Sequence, residues 1–432
     1  MMNRRSLLRS SLASGAGLSL LAGMNAGQAK AAGGDPIPVG AALPMSGVAA
    51  ADGIEFQNGL SLAIEEINSV GGILGRPLEL HVEDTAEMGA DVVSQAMQRL
   101  IDRYETPVII NGYNNGTNMV EMDVAADSDV IFCHYNTLIS HNNKFKEDPD
   151  RYYGCFQGDP PEYYYGPGLL SYLNNLVDTG QWTPANRKIA LVASSVEYSI
   201  VIANAVREFA EEAGWEISIY ETVQFPTNQW GPTLAKIRQD EPAVIAVTHF
   251  LPQDLAAFMT QFIPQPTNSL IYMQYGPSLP AFKEIGGDAV KGVLYSTVVG
   301  CLPDEFSEGF RTTYREKFGP NAAYLTGSQT YDGLWKWALA AAIAGGAGAP
   351  YDGEQARAVA ASMNRLIYRG VNGVCRFDPD GQSAYTYPAQ TNDASLGMPH
   401  QFLQHQDLTQ DPVLVAPGSY AKGSFVMPPW MS

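Results

Sequence analysis

The sequence predicts an α/β fold of two similar doubly wound lobes, on three observations. A chain of 432 residues exceeds the usual size of one domain. Short apolar runs suited to buried strands alternate with stretches whose apolar residues recur every three or four positions, as on amphipathic helices. That alternation breaks at residues 152–168, YYGCFQGDPPEYYYGPG, and then begins again. Strand, helix, strand with a short return is a right-handed βαβ unit, so each half builds a parallel sheet.

In chain order, IPVGAALPMSG (residues 37–47) is the first strand. Phe56, Leu60, Ala63, Ile64, Ile67 and Val70 then mark one helix face, which Gly71-Gly72 ends at the position of a left-handed cap. PLELHVEDTA is the second strand, and residues 90–103 form a helix with Val92, Val93, Ala96, Met97, Leu100 and Ile101 at helical spacing. TPVIING (106–112) and SDVIFCH (128–134) are buried strands linked by a helix over 117–126. The second half repeats the scheme. Strands at 188–195, 215–223, 241–250, 269–276 and 291–300 alternate with helices at 200–214, 230–239 and 253–262. Residues 303–347 are helical, with Tyr331-Asp332-Gly333 opening the later of two helices; another helix follows near 353–367, then a short strand in 373–381 and β-like pieces in the tail.

The net charge is -19. Such a surface repels phosphate backbones and anionic lipid, which argues against nucleic acid and membrane surfaces as partners. The N-terminus departs from this balance: Arg4, Arg5, Arg9 and Lys30 stand among residues 1–31 with no acid, around a weakly apolar run and a small-x-small site at Ala29-Lys30-Ala31. It resembles a twin-arginine export signal, so the expected location is periplasmic, with residues 1–31 removed and no membrane insertion of the mature chain. Cys133, Cys155, Cys301 and Cys375 have no CxxC or CxxH spacing; a Cys133–Cys155 disulfide and buried free thiols are equally open.

Parallel α/β sheets place ligands at the carboxyl ends of their strands, where loops present side chains and backbone amides from a rigid base. Residues 111–137 contain two such ends, each running into a loop of small polar and aromatic residues. Metal binding has little support, because neither His134 with His141 nor His400 with His405 is completed by a carboxylate or cysteine at ligand spacing. GGAGAP lacks both a preceding strand and a following Lys-Ser/Thr, and no nucleophile elbow or HExxH is present, so neither cofactor nor catalysis is expected. Glu65-Glu66 and Glu211-Glu212 are expected on solvated helix faces, and the Tyr163-Tyr164-Tyr165 run either packs or covers a cleft.

With both halves read, IPVGAALPMSG, Ala63-Ile64-Glu65-Glu66-Ile67-Asn68 with Gly71-Gly72-Ile73-Leu74-Gly75-Arg76, KIALVASSVEYS, Tyr331-Asp332-Gly333 and Phe377-Asp378 together resemble the type I periplasmic solute-binding proteins of the branched-chain amino acid and amide family. The resemblance implies two Rossmann-like lobes joined by a hinge of three crossovers, near 154–161, 296–302 and 373–381. Residues 36–157 with 298–372 would form the first lobe, and 158–297 with 373–432 the second. It implies a hinged clamp that captures a solute and hands it to an inner-membrane ABC permease. Carried over by position, the ligand residues are Asn115, Gly116, Thr117, Tyr135, Asn136 and Thr137 in the first lobe, and Tyr198, His249, Phe250, Gln274 and Tyr275 in the second; Tyr113, in the first strand-end loop, joins Tyr135, Tyr198 and Tyr275 as the aromatic walls. The family's serine-rich first loop is here Asn114-Asn115-Gly116-Thr117, and the acid that would meet an ammonium near residues 274–276 is absent. These departures count against a standard α-amino acid. The neutral set of hydrogen-bonding groups between aromatic walls suits an amide, urea-like or aromatic amide-like solute better than a strongly charged one, so the expected solute is a small polar amide, urea-like or amino-acid-like compound. The other classes considered are an amide-sensing regulator of the same fold, which an export signal counts against, and an exported amide hydrolase.

Overall fold

The computed structural model describes residues 33–114 and 116–431. The export signal expected at residues 1–31 and the candidate Asn115 lie outside them.

The first lobe begins with β1 (Ile37–Leu43), α1 (Ala50–Ser69), β2 (Leu78–Asp84), α2 (Ala90–Tyr104), β3 (Val108–Ile110), α3 (Asn118–Asp127), β4 (Ile131–His134), α4 (Ile139–Glu147) and β5 (Cys155–Gln157). Its five strands are parallel, in the order β2-β1-β3-β4-β5. Through α5 (Tyr165–Asp178) the chain enters the second lobe, with β6 (Lys188–Ser194), α6 (Glu197–Ala210), β7 (Glu216–Val223), α7 (Gly231–Asp240), β8 (Val244–Val247), α8 (Pro252–Phe262), β9 (Leu270–Gln274), α9 (Pro280–Gly286) and β10 (Leu294–Thr297). Those strands run β7-β6-β8-β9-β10, the same order as in the first sheet. Each sheet therefore has a switch point where successive connections leave to opposite sides, between β1 and β3 and between β6 and β8. Such points open a crevice for ligands.

After β10 the chain returns to the first lobe as α10 (Glu305–Phe318), α11 (Tyr324–Ile343) and α12 (Gly353–Arg365), followed by the hairpin of β11 (Tyr368–Gly370) and β12 (Gly373–Cys375). Helix α11 lies against α1 so closely that a Cβ on Gly59 would stand 2.0 Å from the Gly327 carbonyl oxygen. The tail pairs β13 (Thr386–Tyr387) with β14 (Met398–Pro399), then adds β15 (Gln401–Gln404) and β16 (Val413–Ala416) antiparallel at the β10 edge of the second sheet. Covering that edge removes a row of unpaired backbone groups.

Several expectations change. Helix α5 was hidden by Gly166-Pro167-Gly168, which reads as a loop; proline in a first helical turn is tolerated, and Leu169, Leu170, Tyr172, Leu173 and Leu176 bury the helix. Tyr331-Asp332-Gly333 lies inside α11 rather than opening it, because the helix starts at Tyr324 among small and polar residues without apolar periodicity. The strand expected across 373–381 is confined to β12, and the chain stays with the first lobe beyond it: Gln382 Nε2 donates to the Cys155 carbonyl at 2.7 Å and Asn142 Nδ2 to Ser383 Oγ at 2.8 Å. Residues 382 and 383 thus still pack on the first lobe, beyond the stretch expected to cross over. Glu66, expected in solvent, is part-buried and accepts hydrogen bonds from Tyr331 Oη and Trp335 Nε1. All four cysteines are free. Cys133 pairs in register with Ile110 and Phe156, whereas Cys155 pairs with Phe132, so the two thiols point to opposite faces of the sheet and cannot join. Among the described residues no helix is long and apolar enough to cross a membrane.

Candidate functional site

A pocket of about 530 Å³ of empty space, part of it open to solvent, lies between the lobes. The first lobe and its crossover contribute Tyr113, Gly116, Tyr135, Asn136, Thr137, Leu138, Asp159 and Gln329; the second contributes Tyr165, Tyr198, Phe250 and Tyr275; Thr297, Val298 and Val299 close it along the second crossover.

The first wall is set by one buried carboxylate. Glu121, on α3, accepts from Asn111 Nδ2 at 2.6 Å, Asn114 Nδ2 at 2.7 Å and Asn136 Nδ2 at 3.2 Å, tying the ends of β3 and β4 to the helix between them. Asn136 Oδ1 in turn accepts from the Asn114 backbone N–H at 2.9 Å, and Asn111 Oδ1 from that of Ala42 at 2.8 Å. Burial pushes the Glu121 carboxyl up to about 7 against the pull of its three amide donors. The Asn136 amide, although on the wall, is therefore committed to structure on both its oxygen and its nitrogen. Thr137 turns the chain at φ 56, a backbone conformation that costs a β-branched residue energy.

The second wall is aromatic. Tyr198 meets Phe250 edge-on at 5.5 Å and Tyr165 at 6.3 Å between ring centroids. Gln274 Nε2 donates to Tyr198 Oη at 3.1 Å, while Gln274 Oε1 accepts from the Tyr272 hydroxyl and from Ser296 Oγ. Tyr275 leaves β9 at φ 52, which swings its ring toward the first lobe.

The walls meet at Asp52, near the start of α1. Its Oδ1 accepts from Tyr275 Oη at 3.0 Å, and its Oδ2 from the Tyr113 hydroxyl; Thr326 on α11 stands 3.0 Å from Tyr275 Oη. Tyr113 also faces Phe250 across the lobes at 6.2 Å. Burial raises the Asp52 carboxyl to about 6 despite these donors. The lobes are closed on one another, with a tyrosine of the second bonded to an acid of the first.

Asp159, in the first crossover, is 0% exposed, and neither carboxylate oxygen has a well-formed hydrogen bond. Thr137 lies beside it, but that hydroxyl donates to the Tyr135 carbonyl at 3.4 Å. Burial holds the Asp159 carboxyl well above the usual carboxylate range.

Of the residues singled out from sequence, Tyr113, Gly116, Tyr135, Asn136, Thr137, Tyr198, Phe250 and Tyr275 come together around the cavity, whereas Thr117, His249 and Gln274 do not reach it. Thr117 Oγ1 donates to the Asn114 carbonyl at 3.1 Å. His249 is buried beneath Phe225, with Nδ1 accepting from the Leu251 N–H at 3.1 Å and Nε2 2.9 Å from Asp254. Gln274 sits behind Tyr198 and orients it. The other histidines also have partners: His81 stacks on Tyr104 at 4.2 Å between centroids, and His134 pairs with His141 at 2.9 Å, His400 with Ser296 Oγ at 2.8 Å and His405 with the Pro277 carbonyl at 2.9 Å. Sequence reasoning missed Asp52, Glu121, Asp159, Tyr165 as a wall residue, and Gln329. The GDPP stretch after β5 held the one available signal, an acid placed directly on a crossover.

The sequence profile described as periplasmic binding protein matches residues 36–392. The chain belongs to this periplasmic binding protein family. Among its relatives, the Leu/Ile/Val-binding protein homolog 1 of Brucella abortus (strain 2308) is 22% identical over 310 residues, 71% of this chain and 78% of that one. A crystal structure provisionally described as a branched-chain amino acid ABC transporter, from Silicibacter pomeroyi, superposes with a TM-score of 0.87 at 53% identity, covering 92% of this chain and all of that one. The branched-chain amino acid transporter substrate binding protein LivJ of Streptococcus pneumoniae, solved in complex with isoleucine, shares the fold at a TM-score of 0.70 and 16% identity, covering 88% of this chain and 99% of that one. A cavity between two lobes of equal strand order is what a periplasmic binding protein needs in order to enclose a solute.

Proposed function

We propose that the chain is the extracytoplasmic receptor of an ABC importer, that it captures a small amino-acid-like or amide-like solute by closure of its two lobes, and that it passes the solute to an inner-membrane permease without catalysing a reaction. The observation that carries this reading is the pair of contacts across the cavity, Tyr275 on Asp52 and Phe250 against Tyr113. Each needs both lobes, so closure and formation of the cavity are one event, which is how a hinged clamp couples binding to shape. The names of the relatives above support an amino-acid-like solute, and a cavity lined by polar loops on one side and aromatic rings on the other suits a small polar molecule. Cavity residues Tyr113, Gly116, Tyr135, Asn136, Thr137, Tyr198, Phe250 and Tyr275 form the proposed contact surface.

The test is a thermal-shift screen of the mature chain against amino acids, amides and urea. A solute held at 100 times its Kd stabilises the bound form by about 2.7 kcal/mol. Tyr135→Ala and Tyr198→Ala should abolish that shift while leaving the circular dichroism spectrum unchanged. If both variants keep the shift, the solute binds elsewhere; if a hit is turned over by the pure protein, the receptor reading gives way to an enzyme.

A further inference from the structure

One group in the cavity is out of keeping with a neutral site. Asp159 is completely buried, faces the cavity, and has no well-formed hydrogen bond on either oxygen, with only the Thr137 hydroxyl and nearby backbone N–H groups beside it. An ionised carboxylate in that setting lacks both water and a counter-ion, so something must supply a positive charge or the group must stay protonated. No lysine or arginine lines the cavity among the described residues. The other acid of the crossover, Glu162, is buried with Oε2 on the Ile139 N–H at 2.6 Å and supplies no positive charge. Tyr135, Tyr165 and Tyr198 stand near Asp159, and Tyr113, Phe250 and Tyr275 line the same cavity. Aromatic faces attract cations through their quadrupole, most strongly when water is excluded, and a ring of them is the usual setting for an ammonium group.

We infer that Asp159 is the anion of an ammonium subsite, and that the solute lays a protonated or quaternary amine between this carboxylate and the tyrosine rings. The inference rests on the receptor reading above and narrows its solute class to compounds that carry an ammonium group. Two sources share that chemistry, simple amines and α-amino acids. The Asn136 amide is already committed to Glu121 and Asn114, so it adds little to charge selection. Specificity then comes from the crossover and not from the strand-end loops. The missing acid near residues 274–276 is replaced by one on a different element.

The experiment is titration calorimetry of the mature full chain and of its D159N variant, with compounds that share a skeleton and differ in charge: isopentylamine, leucine and isovaleramide, together with choline and its neutral carbon analogue 3,3-dimethylbutan-1-ol. The expected result is that an ammonium compound binds wild type at least about 100-fold more tightly than its neutral counterpart, and that D159N loses about 100-fold for the ammonium compound only. Preference for isopentylamine or choline identifies simple amines as the source; preference for leucine identifies amino acids. Should D159N fail to fold, the wild-type comparison of charged and neutral partners decides by itself. Equal binding of isovaleramide and isopentylamine, unchanged affinity in D159N, or no binding by any ammonium compound would overturn the subsite. Equal binding that Tyr135→Ala and Tyr198→Ala still abolish would overturn the subsite alone and leave the receptor reading standing; equal binding that survives both would remove the two together.

Discussion

The two walls of the cavity grow from sheets of identical strand order yet are built by opposite means. The first is a pair of polar loops fixed from behind by one buried acid, Glu121, which gathers three asparagines. The second is a set of aromatic rings fixed by one amide, Gln274, which gathers hydroxyls. In both, the groups that look most suited to holding a solute are turned inward to hold the wall. The groups left facing the cavity are mainly aromatic rings, the side chains of Leu138, Val298, Val299 and Gln329, and Asp159. A shared topology therefore fixes where a wall stands, and local polar chemistry fixes what it presents.

The largest expected effect comes from breaking the first wall at its centre. Glu121→Ala would leave three buried amides without their acceptor and should lower unfolding stability by about 3 kcal/mol or more, read from urea denaturation, with loss of solute binding. Gln274→Ala, the matching change in the second wall, frees one tyrosine and should cost about 1–2 kcal/mol while weakening binding. If the two changes cost the same, the contrast between the walls is wrong.

The contact between the walls offers a subtler test. Tyr275→Phe removes the hydroxyl that reaches Asp52 and should weaken solute affinity by about 5–10-fold, chiefly through faster dissociation, with little change in unfolding. Asp52 also makes closure sensitive to pH. Its carboxyl lies at about 6 in the closed protein against an ordinary 3.8, so the closed state holds the proton more tightly than an exposed state does. The favourable state is fully populated below pH 4, stability falls as pH rises from about 4 to 6, and it is level above that, a change of order 2–3 kcal/mol. Glu121, near 7, and Asp332, near 6, slope in the same direction. Asp52→Asn should remove only its own share, which denaturation curves at pH 4.5 and 7.5 would reveal as a flatter difference. The smallest effect is expected at Thr117→Ala, which loses one bond to the Asn114 carbonyl behind the wall and should change affinity less than about twofold.

Which parts of this were legible in the sequence follows from what periodicity can report. Strand ends were visible because an apolar run stops there, which placed Tyr113 and Tyr135 at a cleft, and the family resemblance carried the same reading to Tyr198, Phe250 and Tyr275 in the second lobe. The direction of a polar side chain at such an end was not visible. Asn136 and Gln274 turn inward because Glu121 and Tyr198 wait there, and both partners are distant in the sequence or sit on a helix singled out for its place between two strands. Asp52 was passed over as an acid at the start of an amphipathic helix, where acids are commonplace, and its role appears only once β9 and α11 arrive from far along the chain. Asp159 stood in a segment without period, and no local pattern tells which side of a crossover faces a cavity.

The central claim, that solute capture and lobe closure are one event, is tested most directly by small-angle X-ray scattering of the mature chain with and without the compound that titration identifies as a ligand. The account predicts a smaller radius of gyration in its presence, with a weaker contraction at equal saturation in Tyr275→Phe. Saturating binding with an unchanged radius of gyration would contradict it.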